Sequence, residues 1–265
     1  MHELEDLHDL RDEALQHQHQ AERLARTLQR SLSPPSLPQI AGLDVAVHYE
    51  PSAPEDVGGD FYDLFPLAAD RSAFFLGDVC GKGPEAAAIT SLARYTMRTA
   101  AMLHEEPEEI LVDLNAALLM HSADPMSTCS AVYGQIDTGE GATTVMLAVA
   151  GHPPPLIVRE DGSVETTDAS GTLLGAIAAP SFHGCELSIG IDDAIVVCSD
   201  GVLDIELGGT RLDEKRLAEL LAGSPGASAQ DLVERLMRAL RDVPRPLRDD
   251  VAVMALRRTA PPVPA

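Results

Sequence analysis

Two aspartates that end apolar runs are the residues in this sequence with the clearest capacity for chemistry. The run that begins at Phe74 stops at Asp78, where a glycine-rich turn leads to Pro84, a residue suited to the first position of a helix. The run that begins at Ala194 stops in the same way at Asp200. Both carboxylates are therefore expected at the exits of buried strands, facing a cleft. Oxygen ligands of this kind are what hard cations such as Mg²⁺ and Mn²⁺ prefer.

Two further acidic pairs stand at the starts of apolar runs. Asp60 and Asp63 lie in VGGDFYD, and Asp249 and Asp250 lie in DDVAVM. Aspartates that converge from distant parts of a chain suit two hard cations about 4 Å apart, which share one carboxylate and orient a water for attack on a phosphate ester. The residues alone therefore predict a Mg²⁺- or Mn²⁺-dependent hydrolase of phosphate esters. Asp63 and Asp250 are predicted to give hydrogen-bonding support to the stronger candidates beside them.

Other residues near these motifs have structural interpretations that are favoured over chemical ones. An Asp-Gly pair is a common turn, and His152 in GHPPP is predicted to be a loop residue rather than a ligand. Lys82 could approach a phosphate, but a solvated lysine in a glycine turn is the favoured interpretation. No histidine or basic residue stands directly beside Cys80 to suggest an activated thiol. Zinc is poorly served, because the chain has no HExxH or CxxC motif.

The composition narrows the choice of partners. The 265 residues include 42 acidic and 19 basic side chains, which gives a net charge of −23, and there is no tryptophan. A surface this acidic repels nucleic-acid backbones and anionic membranes, so neither is expected as a partner. The four cysteines show no metal-ligand spacing, and no signal peptide or apolar stretch of about 20 residues is visible. These features predict a cytoplasmic protein with reduced cysteines.

The chain divides into three predicted parts. Residues 1–32 are predicted to form a polar helix whose heptad pattern suits either a coiled coil that makes a homodimer or a helix folded back on its own domain. Residues 33–258 are predicted to form one domain, and residues 259–265 a disordered, proline-rich tail.

Within the domain, apolar alternation predicts about ten strands in hairpin-like succession. Two helical pairs interrupt them, predicted at 84–103 and 107–121 and then at 213–221 and 229–241. This order indicates antiparallel sheets with helices packed outside them, an α+β layered domain. A doubly wound parallel sheet is the poorer interpretation, because strict alternation of strand and helix is missing.

Several motifs, taken together, resemble one protein family. The stretches VGGDFYD, GDVCGKGPEAA, SDGVLD and RDDVAVMAL occur in the order typical of the SpoIIE/RsbU-like branch of the metal-dependent PPM-type Ser/Thr protein phosphatases. The stretches AGHPPPL, GTLLGA and LQRSLSPPSLPQIAGLDVA are also similar to segments of that branch. The resemblance covers roughly residues 28–258. It implies a central antiparallel β-sandwich flanked by helix pairs, preceded here by the N-terminal helix.

The resemblance also implies roles for single residues. Asp78 would bridge two Mn²⁺ or Mg²⁺ ions, and the Val79 carbonyl would be a further ligand. Asp200 and Asp249 would complete the shell of the first ion, and Asp60 would hold the second ion directly or through water. A metal-activated water would attack phosphoserine or phosphothreonine, with no phosphoenzyme intermediate.

A regulatory setting is implied as well. The predicted helices at 84–103 and 107–121 are similar to a pair that switches the metal site between incompetent and competent arrangements. The implied substrate is a phosphorylated anti-sigma-factor antagonist of the STAS type. Cys80 and Ala252 depart from the Ser and Thr that this branch usually has, and neither position supplies an expected ligand.

Two other classes of function compete with this interpretation. One is a catalytically silent, dimeric interaction module of a partner-switching pathway, which would have no need of four intact aspartates. The other is a two-metal phosphodiesterase or nuclease, which conflicts with the net charge of −23.

Overall fold

The computed structural model describes residues 36–52, 58–121, 128–139, 143–207, 209–241 and 247–260. The helix predicted over residues 1–32 lies outside the described residues, as does the part of the predicted tail after residue 260. The described part contains fourteen strands and five helices.

The elements are labelled here in chain order. The strands are β1 Leu43–Glu50, β2 Asp60–Pro66, β3 Arg71–Val79, β4 Cys129–Asp137, β5 Thr143–Ala150, β6 Leu156–Val158, β7 Val164–Thr166, β8 Ser170–Gly171, β9 Phe182–His183, β10 Cys185–Ile189, β11 Ala194–Cys198, β12 Glu206–Leu207, β13 Thr210–Arg211 and β14 Val251–Arg258. The helices are α1 Pro84–Ala100, α2 Pro107–His121, α3 Asp200–Leu203, α4 Glu214–Leu221 and α5 Ala229–Ala239.

Ten of the described strands form two five-stranded antiparallel sheets. The first sheet has the order β1-β14-β11-β6-β7, and the second has the order β10-β5-β4-β3-β2. β14 lies between β1 and β11, so the last described strand pairs with the first one over the full length of β1. The antiparallel sheets and the accompanying helices agree with the α+β prediction.

The apolar side chains of these sheets form three layers. Successive residues of a strand point to opposite faces, so Phe74 and Leu76 of β3 face the first sheet, where Val197 and Met254 meet them. Phe75, between them, faces the other way and packs beneath α1 and α2. On the far side of the molecule, the outer face of the first sheet packs against α4 and α5. The core thus fixes which face of every strand looks between the two sheets.

Local signals set the beginnings of the helices. Gly83 precedes α1 with a φ of 88°, and Pro84 occupies the first helical turn, where a missing N–H costs nothing. The Ser228 side chain accepts a hydrogen bond from the Asp231 backbone N–H, and the Asp231 carboxylate accepts one from the Ser228 backbone N–H, a capping box that starts α5. α1 therefore begins within five residues of Val79, the last residue of β3.

Differences from the predicted elements are confined to short or interrupted segments. The apolar pattern over residues 182–189 predicts one continuous strand, but the structure has the two strands β9 and β10, because Gly184 between them donates its backbone N–H to Glu108 Oε1 of α2 at 2.9 Å. β7, β8, β12, β13 and α3 were not predicted, since two to four residues are too few to show a period. None of the described helices is both long and apolar enough to span a bilayer.

Candidate metal centre

Asp60 and Asp78 lie side by side at one end of the second sheet. They are register partners on β2 and β3, so their side chains leave the sheet on the same face. This face is the one that carries Leu64 and Leu76, two residues packed against the first sheet. Asp60 is 2% exposed, and Asp78 is partly exposed. The second sheet thus directs two carboxylates into the space at the end of the inter-sheet layer.

The first sheet brings Asp200 and Asp249 to the same end. Asp200 is the first residue of α3 directly after β11, and Asp249 stands just before β14, the neighbour of β11. The two strand ends are tied together at Ser199, whose backbone N–H donates to the Ala252 carbonyl while its hydroxyl accepts from the Ala252 N–H, both at 2.9 Å. The four predicted aspartates therefore come from two sheets to one place.

The electrostatics show that these carboxylates share one environment. Burial, followed by the charges of Asp200 and Asp249, raises the pKa of Asp78 from its usual 3.8 to about 8, and Lys82 opposes part of this rise. Burial and then the charge of Asp78 raise the pKa of Asp60 well above its usual range. Although Asp200 reaches solvent, loss of hydration and the neighbouring Asp249 raise its pKa as well. Without a cation, the cluster favours protonation.

The atoms packed around Gly59 show that two of the predicted oxygen ligands lie close together. A Cβ on Gly59 would lie 2.3 Å from the Val79 carbonyl oxygen and 2.5 Å from Asp78 Oδ1. Both oxygens therefore lie in the space that a side chain at position 59 would occupy, and only glycine leaves that space free. Asp60 Oδ2 is buried and has no hydrogen-bond partner in the described structure, so it is an oxygen in need of a positive neighbour.

The described ranges nevertheless hold no finished coordination shell. No group of three or more His, Cys, Asp or Glu side chains among the described residues is arranged to hold a metal ion. The donor set fits a hard cation by chemistry, since it consists of carboxylate and carbonyl oxygens. What the structure supplies is a cluster of carboxyl groups, each of which raises the pKa of a neighbour when it is ionised.

Asp250 supports the site, in agreement with its predicted role. Its Oδ1 accepts the backbone N–H of Ser52 at 2.7 Å, and its Oδ2 lies 3.4 Å from the hydroxyl of Tyr49. A Cβ on Gly58 would lie 1.8 Å from Asp250 Oδ2, so this glycine packs directly against the carboxylate. Asp250 therefore joins the start of β14 to residues 49–52 and to Gly58.

Asp63 does not lie with the other carboxylates. It lies three positions after Asp60 on β2, and an odd difference in position on a strand places the two side chains on opposite faces. Asp63 is fully buried beneath α1, where Arg94 Nε and Arg98 Nε donate to its Oδ2 at 2.9 and 2.7 Å. The prediction that it supports Asp60 by hydrogen bonding is not what its contacts show. It anchors α1 to β2 instead.

Lys82 is engaged with the cluster rather than freely solvated. Its Nζ lies 3.5 Å from Asp249 Oδ1 and donates a hydrogen bond to the Ser52 hydroxyl. Cys80 is exposed two residues earlier in the same turn, and its sulfur accepts a hydrogen bond from the Thr128 hydroxyl at 3.1 Å. The glycine turn thus places a positive charge at the edge of the acidic group.

Sequence reasoning missed two polar residues beside the site. Ser130 of β4 is the register partner of Asp78, on the side away from Asp60. The Ser130 hydroxyl lies 2.7 Å from Nδ1 of His152, which is only 5% exposed. The interpretation of His152 as a loop residue placed it correctly between strands, but its ring is buried beside the site. Period-two alternation on β4 was the signal that could have paired Ser130 with Asp78.

Comparison with known proteins shows what this chain is similar to. A profile of the family described as Stage II sporulation protein E (SpoIIE) matches residues 68–259. The chain is 25% identical over 237 residues to the protein named phosphoserine phosphatase RsbU of Bacillus subtilis (strain 168), an alignment that covers 89% of this chain and 69% of RsbU.

Solved structures show the same fold. The crystal structure of the RsbU and RsbW domains of Rv1364c from Mycobacterium tuberculosis matches with a TM-score of 0.72 at 28% identity, over 88% of this chain and 65% of that chain. The SiaA-PP2C domain of Pseudomonas aeruginosa matches with a TM-score of 0.72 at 19% identity, over 90% of this chain and 96% of that chain. The last likeness concerns the fold alone. This chain spans about two thirds of the first of these solved chains.

Proposed function

The chain belongs to the Stage II sporulation protein E (SpoIIE) family, a group of PPM-type phosphatases, and we propose that it is a protein serine/threonine phosphatase that requires Mn²⁺ or Mg²⁺. The observation that carries this proposal is the convergence of Asp60 and Asp78 from one sheet with Asp200 and Asp249 from the other. The similarity to a protein named phosphoserine phosphatase gives independent support for the reaction.

The proposed ligand set follows the oxygens that surround the cluster. The charges of Asp200 and Asp249 both raise the pKa of Asp78, and the charge of Asp78 raises the pKa of Asp60. Asp78 is therefore assigned the bridging position, with the Val79 carbonyl beside it. Asp200 and Asp249 are assigned to one of two ions, and Asp60 to the other. Bound divalent cations would neutralise these carboxylates and activate a water for attack on phosphorus.

The residues around the ligands have roles of their own. Asp250 holds the segments that contain Tyr49 and Ser52 against the site, and so fixes the wall next to Asp60. Lys82 places an ammonium group beside Asp249, at the edge from which an anionic phosphate would approach. The chain itself thus supplies orientation of the carboxylates and one positive charge for the substrate.

For the substrate we propose a phosphorylated regulatory protein of the STAS type. The support is the similarity to RsbU and to a solved chain that joins an RsbU domain to an RsbW domain. Phosphoserine is preferred over a phosphodiester, because a net charge of −23 repels nucleic acid. The competing proposal, a silent interaction module, has no specific contact among the described residues in its favour. Such a module would have no need of a cluster of carboxyl groups whose burial and mutual repulsion cost stability.

Hydrolysis assays test this proposal directly. The full chain is assayed on a phosphoserine protein and on p-nitrophenyl phosphate, with and without Mn²⁺, beside Asp78→Ala. Loss of the bridging carboxylate is expected to lower kcat/KM by roughly 10³-fold or more, which is about 4 kcal/mol of transition-state stabilisation. Asp137→Ala is the matched control, because Asp137 is an exposed aspartate at the other end of the same strand pair. Equal rates for wild type and Asp78→Ala, or activity independent of metal, would favour the interaction module.

A further inference from the structure

A polar row crosses the second sheet at the site. Asp60, Asp78 and Ser130 are consecutive register partners on β2, β3 and β4. Directly opposed residues on antiparallel strands have Cβ atoms roughly 5 Å apart on the same face, so the Ser130 hydroxyl stands next to the Asp78 carboxylate. A hydroxyl beside a carboxylate ordinarily donates its proton to it. No such hydrogen bond joins these two described residues, since Ser130 is engaged on its other side.

The partner of Ser130 is His152. Its Nδ1 lies 2.7 Å from Ser130 Oγ, and the whole residue is only 5% exposed. Burial lowers the pKa of the imidazole to about 3, so the ring is neutral at physiological pH. A neutral imidazole has one N–H and one bare nitrogen, and its surroundings decide which nitrogen is bare.

The contacts of Ser130 indicate where the ring proton resides. Among the described residues, the Ser130 hydroxyl has one hydrogen-bond partner, Nδ1 of His152 at 2.7 Å. A hydroxyl has a proton to donate, and a bare imidazole nitrogen accepts it, so this contact favours a bare Nδ1 and a proton on Nε2. Nε2 is buried and has no hydrogen-bond partner in the described structure.

We propose that His152 is a positioning residue that draws the Ser130 proton away from Asp78. The Ser130 oxygen then faces the carboxylate with its lone pairs, and no donor competes with a divalent cation for the Asp78 oxygens. This inference rests on the proposed function, because it assigns His152 a role at the same site. It differs from a packing role, because it predicts that the Ser130 hydroxyl weakens cation binding at Asp78 once His152 is removed.

A double-mutant cycle on the full chain tests whether the Ser130 hydroxyl weakens cation binding when His152 is absent. Mn²⁺ affinity is measured by calorimetry for His152→Ala, Ser130→Ala and the double variant, with thermal unfolding of each as a check on folding. In His152→Ala, the freed hydroxyl is expected to donate to Asp78 and to weaken Mn²⁺ binding about tenfold, the worth of a hydrogen bond to a charged group. Ser130→Ala binds like wild type. The double variant is expected to return to the Ser130→Ala value, and an affinity as weak as that of His152→Ala would overturn the proposal.

A conservative variant separates the hydrogen bond from simple packing. The amide oxygen of His152→Asn can occupy the place of Nδ1 as an acceptor, so this variant is expected to restore most of the affinity that His152→Ala loses. A His152→Asn protein that folds like wild type but binds Mn²⁺ as weakly as His152→Ala would count against the assigned role.

Ring nitrogen resonances give a readout that needs neither metal nor activity. In ¹⁵N spectra of the metal-free protein at pH 7, His152 is expected to show a bare Nδ1 and a protonated Nε2, and Ser130→Ala is expected to shift the Nδ1 signal. A protonated Nδ1 overturns the positioning role, whatever the enzyme does. If the tautomer and the Mn²⁺ cycle come out as expected while no phosphoprotein is hydrolysed, the proposed function fails and the positioning of Asp78 stands.

Discussion

Asp60 and Asp78 face one another across adjacent strands, an arrangement in which like charges destabilise an antiparallel pair. The charge of Asp78 is second only to burial in raising the pKa of Asp60. The sheet keeps this unfavourable pair because the surrounding apolar layers hold β2 and β3 in one register. This carboxylate pair therefore opposes the stability of the fold that carries it.

The pH dependence of stability follows from the raised pKa of Asp78. Between its usual 3.8 and about 8, the folded state binds more protons than the unfolded state, so the free energy of unfolding falls as pH rises through this window. In metal chelator, Asp78→Asn is expected to flatten the fall and to be more stable than wild type at pH 8 by on the order of 2 kcal/mol. Urea unfolding at pH 5 and pH 8 measures this. Asp137→Asn is the control and should keep the wild-type slope; a wild-type slope in Asp78→Asn would contradict the prediction.

The buried ion pair between α1 and β2 gives a prediction about stability. Asp63→Ala leaves Arg94, which is 7% exposed, as a buried charge that has lost its carboxylate. The expected loss is about 3–5 kcal/mol in the free energy of unfolding. Glu105→Ala removes an exposed partner of Arg71 and is expected to change it by less than about 0.5 kcal/mol. Denaturant titration compares the two, and similar effects would show that Asp63 is not a structural anchor.

Lys82 would compete with the proposed divalent cations for the acidic cluster. Its ammonium group lowers the pKa of Asp78 and pairs with Asp249. Lys82→Met is therefore expected to tighten Mn²⁺ binding by about two- to fivefold, within the range of a partly exposed ion pair. The control is Lys215→Met, which removes an exposed lysine of α4. Calorimetry at low ionic strength checks this, and weaker binding in Lys82→Met would show that the lysine assists the cation.

Gly59 is the position where one methyl group should disable the site. A Cβ there would press on Asp78 Oδ1 and the Val79 carbonyl, so both oxygens must move. Gly59→Ala is expected to lower phosphatase activity by roughly 10²-fold, the effect of misplacing catalytic groups by about 1 Å. Gly190→Ala is the control, because its nearest contact would be an ordinary 3.6 Å. Full activity in a folded Gly59→Ala protein would exclude these oxygens from the reaction.

The sequence pattern predicted the strand ends better than the directions of their side chains. Apolar runs that stop at Asp78 and Asp200 located the carboxylates, because burial ends where the strand leaves the core. The opposite directions of Asp60 and Asp63 were also contained in the sequence, since a separation of three on a strand changes the face. Although Asp60 and Asp63 are close together in the motif, the odd difference in position decides that their side chains lie on opposite faces of the sheet.

Other features of the site could not be predicted from local patterns. Burial of His152 depends on β4 and β11, which are distant in the chain and belong to different sheets. The contact of Lys82 with Asp249 joins residues that only the fold brings together. Such contacts depend on tertiary structure, and no period or turn signal in one segment reports them.

The position of β14 between β1 and β11 has a consequence for the order of folding. The hairpin of β2 and β3 places Asp60 beside Asp78 by pairing two neighbouring segments of the chain. Asp249 reaches them only when β14 pairs with β1, the first described strand, which is a contact of long sequence separation. The acidic cluster is therefore expected to be completed late, because closing so long a loop costs more entropy than forming a hairpin.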